Sequence, residues 1–281
     1  MLKYIALLSF ISLTFSCRDQ KKQPPNYAEL IKGDWIGKEK LQENRQTQTA
    51  YLLIDDTVIR RSVHRFGLKY QIKEDTLIVE DFNDDKKVHL RYFHIAKLTN
   101  DSFICTAGRY QQDSFQYVKL QPKNNITPAA IYFGYEGPVE FLHSRYYIEI
   151  DSLRNVRFWG IRDSSTKQGY KGTLTEKAYN SIVSSIRKLP ADSLKLIYVA
   201  PWQGDQTMGV SIVYGDKVIR SATYGHYREP MELYFLLNQL SDLNWQVKMQ
   251  PDPSLTKDYF ERKISVLPVT TPPPPALRKE E

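Results

Sequence analysis

The sequence has few of the features that point to a specific chemistry. Its residues include only two cysteines, Cys17 and Cys105, and five histidines, no two of which have the spacing of metal ligands. No serine stands in a Gly-x-Ser-x-Gly turn, and no glycine-rich loop could hold a phosphate. We therefore predict no cofactor and no metal, and we expect no enzyme activity.

Long apolar runs are also missing. After residue 16, charged residues interrupt every apolar stretch before the roughly 20 residues that a transmembrane helix needs. The one continuous run, residues 4–15, is too short to span a bilayer but fits a signal-peptide core of about 7–15 residues. With Lys3 before it and Ser16-Cys17 after it, residues 1–17 resemble a bacterial lipoprotein signal peptide.

This resemblance implies a location and an anchor. Residues 1–16 would be removed as the signal peptide, and palmitate-type acyl chains on Cys17 would hold the protein to a membrane. Residues 17–26 would then be the lipidated cysteine and a polar tether, which reaches at most about 30 Å. Its mostly basic charge favours the periplasm-facing side of the outer membrane. Without Cys17 as a partner, Cys105 is expected to be a buried, inert thiol. The alternative is an ordinary signal peptide cleaved elsewhere.

The composition indicates a globular protein with much β-structure. Hydrophobic residues make up 41% and charged residues 25%, and the aromatic share of 12%, with 19 tyrosines, favours strands. The net charge of +7 would suit an anionic lipid surface or an acidic glycan, or it is only a solvated surface. Nucleic acid is not an expected partner, because no basic block exceeds a pair of residues.

Residues 27–122 show alternating apolar and polar runs separated by polar turns, which predicts eight antiparallel strands. Eight strands can close into a barrel that holds its own side chains or one small ligand. Gly33 and Trp35 open the first strand after a short helical segment, and this Gly-x-Trp resembles the start of a lipocalin-like domain. The resemblance implies that Trp35 plugs one barrel end, and Arg109 is available as the closing arginine. A filled barrel or an open sandwich is the alternative.

Residues 128–248 are predicted to form an α+β domain with two helices on an antiparallel sheet. Thr173 or Thr175 caps a helix over 176–189, Pro190 ends it, and Pro230 starts a second helix over 231–243. Strands are expected at 145–151, 155–161, 194–200, 208–214 and 217–224. This order resembles a family of uncharacterised α+β domains in bacterial envelope lipoproteins, which implies architecture and no chemistry. The polar segment 121–127 would separate two independently folding domains, and residues 249–281 would be a disordered, proline-rich tail.

Two sets of residues are candidate sites. Tyr224, His226, Tyr227 and Arg228 precede a helix N-terminus and could hold an anion or another ligand there. A second pattern, Asp followed by Ser or Thr and an aliphatic residue, resembles the acceptor of an envelope O-glycosylation system, although it is also common in turns. Its acceptor residues are Thr57, Thr76, Ser152 and Ser193.

The sequence therefore predicts a lipid-anchored cell-envelope protein, mainly β with an α+β part, that has a non-catalytic binding or assembly role. Its partners would be the membrane, through the lipid anchor, and an envelope protein, a glycan or a small apolar ligand. A carrier or sensor of a small apolar ligand in residues 27–122 is the second hypothesis, and an envelope hydrolase is the third. An apolar cavity would favour the carrier, whereas convergent carboxylates or a His–Ser contact would favour the hydrolase.

Overall fold

A computed structural model describes most of the chain after the N-terminal segment. The described residues are 26–41, 46–56, 58–61, 67–82, 88–107, 113–137, 145–162, 166–200, 206–225 and 228–263. Within them, no helix is long and apolar enough to cross a lipid bilayer. The predictions for the signal peptide, Cys17, the tether and residues 264–281 lie outside this part of the chain.

The first part of the chain is a closed barrel of eight antiparallel strands. Each strand pairs with the next one in sequence, and β8 pairs with β1 to close the ring. Alternation explains the inward face: in β4, Leu68, Tyr70 and Ile72 pack toward the core while the residues between them are exposed. The strands are β1 Gly33–Leu41, β2 Gln46–Ile54, β3 Val58–Arg61, β4 Leu68–Lys73, β5 Thr76–Phe82, β6 Val88–Leu98, β7 Ser102–Ala107 and β8 Asp113–Lys119.

The two ends of the barrel differ. A short helix, α1 (Tyr27–Leu30), and the turns that include 55–56, 74–75 and 99–101 lie at the end where β1 begins. The remaining segments between the strands, 42–45, 62–66, 83–87 and 108–112, lie outside the described residues. At the α1 end, the turn between β4 and β5 needs a left-handed residue, which Glu74 supplies with φ 57°.

The second part of the chain is a sheet of eight strands in the order β13-β15-β14-β9-β10-β11-β12-β16. Its neighbouring strands are antiparallel except for β13 and β15, which are parallel. The strands are β9 Ala130–Glu136, β10 Tyr146–Asp151, β11 Asn155–Gly160, β12 Gln168–Thr173, β13 Ile197–Val199, β14 Thr207–Tyr214, β15 Lys217–Tyr224 and β16 Met249–Pro251.

Two helices, α2 (Glu176–Lys188) and α3 (Met231–Gln246), cover one face of this sheet and build its main core. Thr175 is the N-cap of α2, and its hydroxyl accepts a hydrogen bond from the Ala178 N–H at 3.2 Å. A third helix, α4 (Lys257–Glu261), packs on the opposite face, where Phe260 is fully buried. The sheet is therefore covered on both sides, with the C-terminal segment on the side away from α2 and α3.

The predicted fold class is confirmed: the protein is mainly β, with an N-terminal barrel and an α+β part that carries two helices on a sheet. The prediction of a disordered tail from residue 249 is wrong for residues 249–263. Met249–Pro251 pairs with β12, and the α4 side chains Phe260 and Tyr259 contact the sheet. A three-residue strand and a five-residue helix are too short to give a periodic signal, so the prolines on either side dominated the prediction.

Candidate functional site

Trp35 lies at the α1 end of the barrel and is completely buried. Its indole Nε1–H donates a hydrogen bond to the Ile31 carbonyl at 2.7 Å, which ties the strand to the residue after α1. The Trp35 ring also makes an edge-on contact with Phe103, with 5.8 Å between ring centroids. Trp35 therefore fills and closes this end of the barrel core.

A lysine covers the outer side of this plug. The Lys119 ammonium stands 5.0 Å from the centre of the Trp35 ring and donates to the Leu30 carbonyl at 3.2 Å. Gly33 allows this close packing, because its φ is +124° and a Cβ there would lie 2.6 Å from Lys119 Cε. Arg109, the arginine available from the sequence, lies outside the described residues. Lys119 provides the cation next to the tryptophan.

Apolar side chains from all eight strands line the barrel above Trp35. They include Phe93 and Phe115, whose rings meet edge to face with centroids 5.5 Å apart. Cys105 points into the same core and is 3% exposed, and burial raises the pKa of its thiol to about 12. The expected burial of this thiol is confirmed. The core is thus lined by apolar side chains, with Lys119 at its rim.

A pair of charged side chains lies on the inner face toward the other end. Asp81 comes two residues after Val79 on β5, and Arg91 comes two residues before Phe93 on β6. Because side chains alternate along a strand, both lie on the same, inward face as these core residues. Their carboxylate and guanidinium form an ion pair with 2.7 Å between Oδ2 and Nε. The Arg91 side chain is 63% exposed, whereas Trp35 at the closed end is 0% exposed. The inner face therefore changes from buried and apolar at Trp35 to more exposed and charged at Arg91.

The predicted loop before α3 is only partly described. Tyr224 is the last residue of β15 and is buried, and Arg228 is exposed; His226 and Tyr227 lie outside the described residues. The carboxylate of the buried Glu229 accepts a hydrogen bond from the Arg228 N–H at 2.9 Å. Glu232, in the first turn of α3, is paired with Lys123 at 2.8 Å. Two carboxylates of the chain itself thus lie at this helix start, and an anion site there stays a prediction.

The proposed glycosylation positions lie at turns or strand ends. Ser152 and Ser193 are exposed, Thr76 is half-buried at the start of β5, and Thr57 lies outside the described residues. Of the histidines, His94 lies 3.5 Å from Asp75. Nowhere in the described ranges do three His, Cys, Asp or Glu side chains gather as metal ligands would. Glycosylation stays a prediction.

A buried ionic cluster on the outer face of the second sheet was not predicted from the sequence. Glu149 of β10 has a side chain only 5% exposed, and its carboxylate accepts a hydrogen bond from the Tyr259 hydroxyl at 2.7 Å. Lys263 and Arg157 approach the same carboxylate at 3.2 and 3.3 Å. The cluster attaches the C-terminal segment to the sheet. Alternation in β10 marks Glu149 as facing away from the helices, but nothing local predicts its partners from residues 259–263.

A second unpredicted cluster joins the barrel to the helices. Lys188, at the end of α2, forms an ion pair with Asp34 of β1, and both side chains are 8% exposed. The Tyr51 hydroxyl of β2 donates to the same carboxylate at 2.6 Å. The Tyr51 ring stacks on Phe235 of α3 with 3.9 Å between centroids. Burial lowers the pKa of Lys188 to about 8 and raises that of Tyr51.

Together these features define a class: a plugged antiparallel barrel joined through a buried contact to a two-sided α+β sheet. Residues 144–244 match the model of a domain family of unknown function, DUF6438. The match spans β10 to β15 with α2 and ends within α3, so it leaves out the barrel and also β9, which lies between β10 and β14 in the sheet. No curated protein matches the chain.

Proposed function

We propose that this is a lipid-anchored cell-envelope protein with a non-catalytic binding role, in which the barrel holds a small apolar ligand. The observation that carries the proposal is the gradient along the barrel. One end is sealed by Trp35, the core above it is apolar, and toward the other end the inner face carries the ion pair of Asp81 with the largely exposed Arg91. Small-molecule sites in proteins are largely apolar, with few polar groups, and the mouth of a barrel is a common place for them.

The neighbours Tyr92 and Phe93 provide a matched test of ligand binding. Phe93 packs against the barrel core, whereas Tyr92 is 57% exposed on the outer face of the same strand. We expect a fluorescent alkyl probe, 11-(dansylamino)undecanoic acid, to bind the wild-type chain saturably with one site. Phe93→Asn should weaken that binding at least about tenfold, because a polar side chain replaces an apolar wall, while Tyr92→Asn should not change it. Circular dichroism would establish that both variants are folded.

Two results would refute ligand binding in the barrel. One is the absence of saturable probe binding to the wild-type chain. The other is an equal loss of affinity in Tyr92→Asn and Phe93→Asn, which would place the probe on the outer surface.

The membrane anchor is tested separately at Cys17. Cys17→Ala should release the protein from the membrane fraction or leave the precursor unprocessed, because acyl chains supply the anchoring free energy at about 0.8 kcal/mol for each buried methylene. Incorporation of labelled palmitate into the variant, or its unchanged partition into membranes, would contradict lipidation at this residue.

A further inference from the structure

The barrel wall that carries Trp35 is also the wall that touches the α+β domain. Trp35 and Leu52 face each other across β1 and β2 and point into the barrel core. Their sequence neighbours Asp34 and Tyr51 point the other way, and yet they are only 7% and 1% exposed. The same two strands therefore have one face in the barrel core and the other face in the contact with the helices.

One carboxylate connects both strands to the second domain. Asp34 of β1 accepts the hydrogen bond from Tyr51 of β2 and pairs with the Lys188 ammonium of α2. The Tyr51 ring is held from the other side by Phe235 of α3. Lys188 in turn donates to the Ser184 hydroxyl at 2.9 Å, which orients the ammonium from its own helix.

A buried ion pair of this kind acts mainly on geometry. The desolvation of two charges offsets most of their attraction, so the intact pair adds little net stability, whereas loss of one partner leaves an unpaired buried charge. A second ion pair crosses the same contact between Lys177 and Asp55, at 3.8 Å, but the Lys177 side chain is 77% exposed. Exposed pairs contribute little, so the buried pair is the one that can hold the strands in place.

We infer that Lys188 is a positioning residue for the barrel: through Lys188 and Phe235 the α+β domain holds the β1–β2 wall closed and so controls access to the barrel core. The segment 144–244, which contains Lys188 and Phe235, would then keep the barrel closed. The inference concerns the site of the proposed function, but its test needs no ligand.

Cys105 provides the readout, because its thiol points into the barrel core and is 3% exposed. In a chain with Cys17→Ser, Cys105 is the only thiol, and it reacts with 5,5′-dithiobis(2-nitrobenzoate) only when the barrel opens. We expect Lys188→Met to raise the labelling rate about 100-fold, since it leaves Asp34 buried without its cation. The double variant Asp34→Asn/Lys188→Met should label at nearly the wild-type rate, and the exposed control Lys177→Met should not differ from wild type.

Three results would overturn the inference. The first is wild-type labelling in Lys188→Met, and the second is an equal acceleration in Lys177→Met. The third is an acceleration in Lys188→Met with the steep urea dependence of global unfolding, which would mean that the lysine acts on overall stability. If Lys188→Met does not fold, Phe235→Ala decides: removing the ring that backs Tyr51 should speed labelling about tenfold, and an unchanged rate would refute control of the barrel by the helices.

Because no ligand is added, this experiment is independent of the probe titration. If the wild-type chain binds the probe but Lys188→Met labels at the wild-type rate, the proposed function stands and control of the barrel by the α+β domain is refuted. Conversely, the expected labelling pattern without probe binding would support the closed wall and refute the apolar ligand.

Discussion

Replacing Trp35 by alanine tests the plug on which the barrel architecture depends. The side chain is fully buried, so the substitution removes its whole apolar surface from the core and leaves a void at the closed end. Large-to-small changes of a buried tryptophan cost about 3–5 kcal/mol of the free energy of unfolding. The void is bounded by α1, Lys119 and Phe103, which belong to different elements and cannot all move in together.

Trp35→Phe separates packing from hydrogen bonding. Phenylalanine keeps an aromatic ring against Phe103 but lacks the indole N–H that bonds the Ile31 carbonyl. Leaving that carbonyl buried without a donor should cost about 1–3 kcal/mol. We therefore expect the order wild type, Trp35→Phe, Trp35→Ala in unfolding free energy, with the larger step caused by the void.

The assay is urea unfolding followed by far-ultraviolet circular dichroism, with Trp245→Ala as the matched control. Trp245 is 73% exposed, so its loss should change the unfolding free energy by no more than about 0.5 kcal/mol. Surface substitutions usually change the unfolding free energy by roughly ±0.5 kcal/mol. If Trp35→Ala differs from wild type by less than about 1 kcal/mol in that free energy, Trp35 does not act as a plug. Equal effects of Trp35→Ala and Trp245→Ala would refute it as well.

Three further variants test the core thiol, the C-terminal helix and the helix cap. Burial raises the pKa of Cys105 from 9.0 to about 12, so the unfolded chain releases the thiol proton first and the contribution of Cys105 to stability falls above pH 9. The thiol's contribution to this slope reaches about 1.4 kcal/mol per pH unit, and it should appear as the difference between wild type and Cys105→Ala in urea unfolding from pH 8 to 10, because Lys188, whose pKa is lowered to about 8, adds a slope of opposite sign to both proteins. Phe260→Ala should cost about 3–5 kcal/mol because the ring is fully buried, against no more than about 0.5 for Leu153→Ala, which is 75% exposed; equal unfolding midpoints would contradict this. Thr175→Ala should cost about 1 kcal/mol by calorimetry, and no change would mean that the cap is replaced by water.

The barrel was predictable from the sequence because each of its strands carries its own signal. Alternation assigns an inner face to every strand, and turn residues such as Asp55-Asp56 mark the hairpins. Every connection is between neighbours in sequence, so strand order needs no long-range information. For the same reason Cys105 could be placed on the face of Phe103 from the local pattern, whereas the position of Trp35 was implied by the resemblance to a lipocalin-like domain.

The second sheet was harder to predict because its order is not its order in sequence. The central strand β9 follows the linker, contains two tyrosines and a glycine, and was not predicted. The strand β12 contains Gly169 and Gly172, which weaken a strand pattern. A side chain at Gly169 would collide with the Leu255 carbonyl at 2.4 Å. The reason for that glycine thus lies in the C-terminal segment, far away in the chain.

The ionic clusters could not be predicted, because both depend on contacts between distant segments. Lys188 follows the apolar face of α2, and a lysine in the last turn of a helix is ordinarily explained by the helix dipole and solvent. Only the barrel wall, more than a hundred residues earlier in the chain, turns it into a buried cation. Glu149 similarly acquires its partners Tyr259 and Lys263 from the end of the chain.

The contact between barrel and helices also qualifies the expectation of two independent domains. The barrel and the sheet have separate apolar cores, and independent folding of the two parts stays a prediction. Yet the segment expected to be a free linker is bonded to α2: the Asn124 side chain donates to the Ile186 and Leu189 carbonyls at 3.1 and 3.0 Å. On separation, Lys188 and Asp34 would each regain water, so neither unit would be left with a buried unpaired charge. The stacked rings of Tyr51 and Phe235 would instead become exposed to water. Burial of this aromatic pair therefore favours the contact between the two parts.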